Sequence, residues 1–285
     1  MLNHIGQIPA AAAFKFSNKD ALVFEGRTFS FNEINDLVER AAGGLSDLGI
    51  VRGDTVTLYA ANSWEWIVSY YAIARLGAVI NPVNTMLTPS EIEYVVKDCG
   101  AKAIIASPEK VAAIMGVKEV SDVEEIISFG SDIADGAISF DALIAANISA
   151  PTPVEIDPAN LSTIGYTSGT TGHPKGAMQS HHAVITNGAM TSQMQMRGAD
   201  DCIVSALPCP HVYANVIMMS MMMFGSKLVL HRAFDVDLAF ADITAHKATI
   251  FDGVPAMYMF MVNSPTIKDA DLSSLTRCYV GGQTM

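Results

Sequence analysis

Tyr166-Thr167-Ser168-Gly169-Thr170-Thr171-Gly172-His173-Pro174-Lys175-Gly176 is the stretch on which the reading of this sequence turns. Gly169, Gly172 and Gly176 let the backbone turn tightly and approach a ligand. The hydroxyls of Thr167, Ser168, Thr170 and Thr171 supply donors, and Lys175 adds one mobile positive charge. Such a set suits the oxygens of a phosphate chain. It is not a Walker A loop, because Lys175 follows Pro174 and precedes a glycine, which G-x-x-x-x-G-K-[ST] does not allow. A plain Gly/Ser/Thr turn between two strands is the competing reading, and the length of the ordered run of residue types weighs against it.

Outward from the loop, the apolar run 161–166 reads as a strand that delivers the chain into it, and a helix is expected from about Ser180. Strand, glycine-rich loop and helix is the context a phosphate loop needs. Upstream, the stretch 150–160 carries Pro151, Pro153 and Pro158 and reads as a connector. A boundary is therefore expected near it, with 1–155 as a first α/β subdomain and 156–285 as a second that carries the loop.

In the first part, strands expected at 21–25, 55–60, 78–82 and 102–106 alternate with helices. Ser30 with Glu33 predicts a capping box. Thr88-Pro89-Ser90-Glu91 puts an N-cap, a first-position proline and a capping Glu in one tetrapeptide, and Ser107-Pro108-Glu109 repeats the device. The stripe of Trp64, Trp66, Tyr70, Tyr71, Ile73 and Leu76 reads as core. In the second part, strands are expected at 203–208, 227–230, 248–254 and 276–280. Helices are expected at 213–224, after Asp235 and after Pro255. The alternation predicts an α/β fold of doubly wound, mostly parallel sheets with flanking helices.

At 285 residues the chain can bury a sizeable core, and with half its residues hydrophobic and 16% charged it lies far from disorder. Twenty-nine acidic against seventeen basic residues give a net charge of −12, whose field repels nucleic acid. A bound nucleotide would depend on local donors, helix ends and a cation. Cys99, Cys202, Cys209 and Cys278 are widely spaced and form no C-x-x-C pair, which fits a reduced, cytoplasmic setting. No signal peptide is read at the start, and the methionine-rich stretch 212–225 is too short to span a bilayer. Peripheral membrane contact stays open. His173, His181 and His182 show no metal-ligand spacing and read as solvated or capping residues.

The loop resembles the phosphate loop of the adenylate-forming, AMP-binding superfamily, which includes acyl-CoA synthetases, luciferases and peptide-synthetase adenylation domains. Four further segments support the likeness in the correct order. Leu76-Gly77-Ala78-Val79-Ile80-Asn81-Pro82-Val83-Asn84 looks like the acyl-CoA synthetase version of an early motif. Pro208-Cys209-Pro210-His211-Val212-Tyr213-Ala214-Asn215 resembles a Pro-x-x-His-aromatic segment, and Asp252-Gly253-Val254-Pro255-Ala256-Met257-Tyr258 a Val-Pro-x-x-Tyr stretch. Leu272-Ser273-Ser274-Leu275, running on to Gly281-Gly282-Gln283, resembles the approach to a loop that covers adenine.

The resemblance implies part of the large N-terminal domain of such an enzyme, of the fatty-acid–CoA ligase type. Its substrates would be ATP, a carboxylic acid and coenzyme A. It implies that Thr167, Ser168, Gly169, Thr170, Thr171, Gly172 and Lys175 hold phosphates, with a hydroxyl, for which Thr167 is the candidate, on Mg²⁺. Gly281, Gly282 and Gln283 would border the adenine. His211 would meet the carboxylate, and His211 and Lys175 are the candidate catalytic residues. Val212, Tyr213, Asn215 and Val216 would line the acyl site. Met218, Met219, Met221, Met222 and Met223 point to all sides of a helix and read mostly as core. Amino-acid-activating members place an Asp just after the aromatic; Val212-Tyr213 stand there instead, which favours an acid without an α-ammonium group.

The family's second half, with the remaining Mg²⁺ ligand, the ribose-binding acid and a lid with its lysine, is not represented. The expectation is a chain cut short, nearly inactive alone, with apolar surface that favours a homo-oligomer. Two alternatives stay open: an adenylating enzyme with a non-CoA acceptor, and a non-catalytic nucleotide-binding fragment.

Overall fold

The computed structural model describes residues 2–130, 133–152, 155–167 and 174–282. In chain order the first elements are α1 (Ile8–Phe16), β1 (Asp20–Phe24), β2 (Arg27–Ser30), α2 (Phe31–Asp47), β3 (Thr55–Tyr59), α3 (Trp64–Arg75) and β4 (Val79–Pro82). Next come α4 (Pro89–Asp98), β5 (Ala101–Ala106), α5 (Pro108–Ile114), β6 (Glu125–Ser128), β7 (Ile138–Ser139), α6 (Phe140–Ala145), β8 (Leu161–Thr167) and β9 (Lys175–Ser180). The last are α7 (His181–Met194), β10 (Cys202–Ser205), α8 (Val212–Phe224), β11 (Lys227–Leu230), α9 (Val236–His246), β12 (Ile250–Gly253), α10 (Pro255–Asn263) and β13 (Arg277–Val280).

These elements form two compact units. One comprises residues 1–11, 33–61 and 65–186, the other 12–32, 62–64 and 187–285. The connector near residue 155 lies within the stretch 65–186 of the first unit.

The first unit is built on a sheet ordered β7-β6-β5-β3-β4-β8-β9, parallel except for the edge pair β8 and β9. Its inner strands are rich in apolar residues and largely buried, and β3, although it carries Thr55 and Thr57, is buried at every position. On one face Val95 and Val96 of α4 and Val111 and Ile114 of α5 pack with Ile104 and Ile126. In α3 the aromatic residues Trp66, Tyr70 and Tyr71 are core, as their helical spacing predicts. Thr88 forms the expected capping box with Glu91. The parallel tetrapeptide behaves differently: Ser107 makes no cap bond to α5, because its hydroxyl accepts from the Ala61 amide at 2.9 Å.

The second unit's sheet runs β13-β12-β10-β11-β1-β2 and is parallel except for β1 and β2. Val204, Val229, Phe240, Ile243 and Phe251 form its core on one side. In α8, Met218, Met219, Met221 and Met222 are buried, so the methionine run is structural filling there. Strand β10 stops at Ser205, short of the predicted 208, because Asn62 takes over the following backbone. Its side chain accepts from the Cys209 amide at 2.7 Å and donates to the carbonyls of Leu207 and His231 at 2.9 and 3.0 Å.

Two expectations need correction. The chain leaving the loop does not pass straight into a helix: it first returns as β9, antiparallel to β8, and α7 then begins at His181, within one residue of the expected start. His181 is not solvated. It is 1% exposed, its Nδ1 accepts from the Ile5 amide at 3.3 Å, and its ring meets that of His4 edge-on at 5.7 Å. Among the described residues no helix is long and apolar enough to cross a membrane.

Candidate functional site

In the first unit the phosphate-loop candidates sit on the β8–β9 hairpin. Thr167 ends β8 and pairs with Lys175, which opens β9, and one step back Tyr166 pairs with Gly176. Thr167 and Lys175 are both exposed, so a residue with a hydroxyl and one with an ammonium are paired at the loop end of the hairpin. Ser168, Gly169, Thr170, Thr171, Gly172 and His173 lie outside the described residues.

The hairpin is anchored from both strands. Tyr166 donates its hydroxyl to Asp98 Oδ2 at 2.5 Å. Burial, then that carboxylate, hold the phenol above its ordinary range, so it stays a donor. A Cβ at Gly176 would fall 2.7 Å from Ile164 Cγ2 and 3.1 Å from Tyr166 Cζ, so only glycine lets the β8 side chains fold over β9. Beneath them Asn81, fully buried, accepts from the Thr57 hydroxyl at 2.9 Å and donates to the Ile164 carbonyl at 2.7 Å. Asn81 stands in one of the quoted motifs, yet nothing in the sequence tells that its side chain ties β3 and β4 to the strand leading into the loop.

In the second unit the candidates gather at the carboxyl ends of β10, β12 and β13, the side where open parallel sheets bind ligands. His211 is the N-cap of α8, is exposed, and makes no side-chain cap bond. The first-turn amides of α8 are therefore not capped by its side chain, and no acidic residue stands in that turn. Val212 is 62% exposed, Tyr213 and Asn215 are half-buried, and Val216 is buried at 5%. The turn that presents His211 is held by the Asn62 bonds and by the His211 amide, which donates to the Pro208 carbonyl at 2.9 Å.

Gly281 and Gly282 follow β13, and Gln283 lies outside the described residues. A Cβ on Gly281 would lie 3.1 Å from Tyr213 Cε1, so the structure brings the His211 segment against the glycine turn within this unit. Below Tyr213 lies a feature that no motif announced. Its hydroxyl donates to Asp252 Oδ1 at 2.9 Å, the same oxygen that receives Arg197 Nη2 at 2.7 Å, and both partners of this ion pair are 0% exposed. Burial pushes the Asp252 carboxyl upward, and Arg197 and then Tyr213 oppose it. Asp252 heads one of the quoted motifs and Arg197 stands in none, and nothing in the sequence pairs them.

Among the described residues no group of three or more His, Cys, Asp or Glu side chains is arranged to hold a metal. Among the described residues at the loop end of the hairpin, the Thr167 hydroxyl is available to a hard cation. That donor suits Mg²⁺ carried on nucleotide phosphates, which needs few protein ligands. The four cysteines are free.

The sequence matches the family of AMP-binding enzymes over residues 10–285. It is 35% identical to 4-coumarate–CoA ligase 5 of Oryza sativa subsp. japonica, over 91% of this chain and 48% of that protein. It is 32% identical to the indoleacetate–CoA ligase of Aromatoleum aromaticum, over 98% of this chain and 53% of that protein. The chain thus spans about half the length of these curated relatives. The inhibitor-bound N-terminal domain of FACL13 from Mycobacterium tuberculosis superposes with a TM-score of 0.90 at 28% identity, covering 100% of this chain and 71% of that one. The anthranilate CoA ligase AuaEII in complex with anthranoyl-AMP gives a TM-score of 0.91 over 97% of this chain and 54% of that one, and at 24% identity this likeness speaks for the fold alone. With the family matched across nearly its whole length, this chain belongs to the AMP-binding enzymes.

Proposed function

We propose that this chain is the acid- and nucleotide-binding part of an acid–CoA ligase that activates a carboxylic acid with ATP. The observation that carries the reading is its similarity, over nine-tenths or more of its length, to ligases whose names pair an organic acid with coenzyme A. In the proposed reaction a carboxylate oxygen attacks the α-phosphorus. The new P–O bond forms as the bond to the β-phosphate oxygen breaks, and pyrophosphate leaves. The thiol of CoA then attacks the acyl carbon and AMP departs.

The two sets of candidates meet separate requirements of this reaction. Lys175 and the loop hydroxyls, with Ser168, Thr170 and Thr171 among them, hold the departing phosphates, and the positive charge of the ammonium favours pyrophosphate as it separates. Mg²⁺, when bound with the nucleotide, supplies charge neutralisation, and Thr167 is the residue to meet it. His211 at the open N-terminus of α8 gives the carboxylate a polar contact and a favourable helix end. Gly281 and Gly282 admit the adenine, and Tyr213 with Val212 faces the acyl group. No carboxylate stands in the first turn of α8 to receive an ammonium, which supports an acid without one.

A fatty acid is the first candidate, supported by a medium-chain acyl-CoA ligase from Rattus norvegicus at 28% identity. The 4-coumarate and indoleacetate relatives support an aryl acid as the second. The free, buried thiols of Cys202 and Cys209 fit a reducing, cytoplasmic location. ATP–pyrophosphate exchange with octanoate, palmitate, 4-coumarate and indoleacetate tests the reading. This chain alone is expected to bind AMP yet exchange poorly, because half of each relative has no counterpart in it; robust exchange by these 285 residues would refute the inactivity. Absence of nucleotide binding in calorimetry would refute the function.

A further inference from the structure

We propose that Arg197 and Asp252 are positioning residues: their buried ion pair fixes the Tyr213 hydroxyl, and through the Tyr213 ring it sets the spacing between the His211 segment and the Gly281-Gly282 turn. The inference rests on the acid-activating function above and gives roles to two residues that function left idle.

The pair is poorly explained as a stabiliser. Arg197 and Asp252 are both 0% exposed, and an ion pair taken wholly out of water is often no more stable than apolar side chains of the same volume. Nor is it saturated: Arg197 Nη1 and Asp252 Oδ2 have no hydrogen-bond partner among the described residues. A bridge serving only stability would be expected to satisfy those atoms.

Its placement is what a positioning device requires. Asp252 lies on the central of three parallel strands, in register with Ser205 of β10 and Tyr279 of β13. Arg197 reaches it from the turn after α7, and that turn is pinned from β13. The Tyr279 hydroxyl and Arg277 Nη1 donate to the Gln195 carbonyl at 2.5 and 3.2 Å, and the Arg197 guanidinium lies 5.2 Å over the Tyr279 ring. Arg197 Nε donates to Gln195 Oε1 at 2.8 Å, and Met196 between them is held at φ +50°, a left-handed conformation that a methionine adopts only under constraint.

The guanidinium is thus fixed before it meets the carboxylate. Asp252 Oδ1 receives both Arg197 and the Tyr213 hydroxyl, so the phenol's one proton is committed and the ring cannot swing. Burial, reinforced by Asp252, keeps that hydroxyl protonated across the working range of pH. The ring edge then stands 3.1 Å from where a Gly281 side chain would begin, so any tilt of Tyr213 moves into the glycine turn. Displacing the pair should disturb binding of an acyl-adenylate, which has to meet the His211 segment and the glycine turn together, much more than binding of AMP, which meets the glycine turn alone.

The test is calorimetric titration of the 285-residue chain with three probes: AMP, and the sulfamoyl adenosine mimics of octanoyl- and indoleacetyl-adenylate. The variants are Asp252→Asn, Arg197→Lys and Tyr213→Phe. Wild type is expected to bind at least one mimic more tightly than AMP. Asp252→Asn and Tyr213→Phe should weaken that mimic about tenfold, the value of a hydrogen bond to a charged group, and AMP markedly less. Arg197→Lys keeps the charge and loses the fork, and should fall between. Variants that retain the wild-type preference for the mimic overturn the proposal, as does equal weakening of AMP and mimic, the mark of a general structural role. If Asp252→Asn does not fold, Tyr213→Phe decides alone, since it removes only the hydroxyl. A wild type that binds neither AMP nor mimic overturns the acid-activating function itself, and this proposal with it.

Discussion

At the scale of single residues, the glycines of the hairpin separate two jobs that look alike in sequence. Gly165 and Gly176 both sit on strands beside the phosphate loop. A Cβ on Gly165 meets nothing within 4 Å, whereas one on Gly176 meets Ile164 Cγ2 at 2.7 Å and Tyr166 Cζ at 3.1 Å. Gly165→Ala is therefore expected to change stability by under about 1 kcal/mol, and Gly176→Ala to cost about 1–3 kcal/mol as the ring is pushed from Asp98. Urea unfolding of the two variants checks this, and equal effects would refute the packing argument. Gly176 was legible as a turn-former in the loop motif. That it is a packing glycine was not, because the contact is made across a strand pair whose register only the folded sheet defines. Arg197 and Asp252, 55 positions apart, were illegible for the same reason: local sequence carries no trace of a partner brought close by parallel pairing.

Among the elements, helix starts were the most legible feature, because capping is decided within four residues. Thr88 and Glu91 satisfy each other's backbone as the tetrapeptide predicts. Thr88→Ala should cost about 1 kcal/mol, seen as fraying of the first turn of α4 in amide exchange. The Ser107-Pro108-Glu109 start has the same letters and a different outcome, since a long-range acceptor need at Ala61 claims the hydroxyl. Ser107→Ala is expected to expose the Ala61 amide to exchange while the start of α5 keeps its protection; fraying of α5 instead would show that the cap reading was right after all. The β9 strand was missed because Lys175-Gly176-Ala177-Met178-Gln179-Ser180 is exposed or half-buried at every position. An edge strand of that kind shows no apolar alternation, and its pairing with β8 supplies the hydrogen bonds that the sequence pattern cannot display.

For the whole molecule, the α/β class and parallel sheets followed from the alternation of elements, but the assignment of strands to sheets did not. β1 and β2 precede the first unit's sheet in sequence and yet belong with β10 to β13, a choice made by long-range pairing. Such non-local choices also decide how global stability answers to pH. His181 of α7 is buried against His4 from the chain start, and burial, followed by the charge repulsion of His4, lowers its pKa from 6.5 to about 4. His4 is lowered too, by burial and then by Arg75. The unfolded chain takes up a proton at His181 as pH falls through 6.5, and the folded chain resists until about 4. This contribution is thus fully present above pH 6.5 and is lost as pH falls through the folded value, by up to about 3 kcal/mol. The net charge of −12 works in the opposite sense over the same range, since acid neutralises carboxylates and relieves their repulsion. A wild-type pH profile alone would mix the two. His181→Asn separates them, because an amide oxygen can still accept from the Ile5 amide as Nδ1 does at 3.3 Å, and it does not titrate. The stability of wild type minus that of His181→Asn, from urea unfolding at pH 7.5, 6, 5 and 4.5, should fall steadily toward acid. A constant difference would mean that His181 is free to take its proton in the folded chain, and that the His4–His181 contact is not the sealed pair described above.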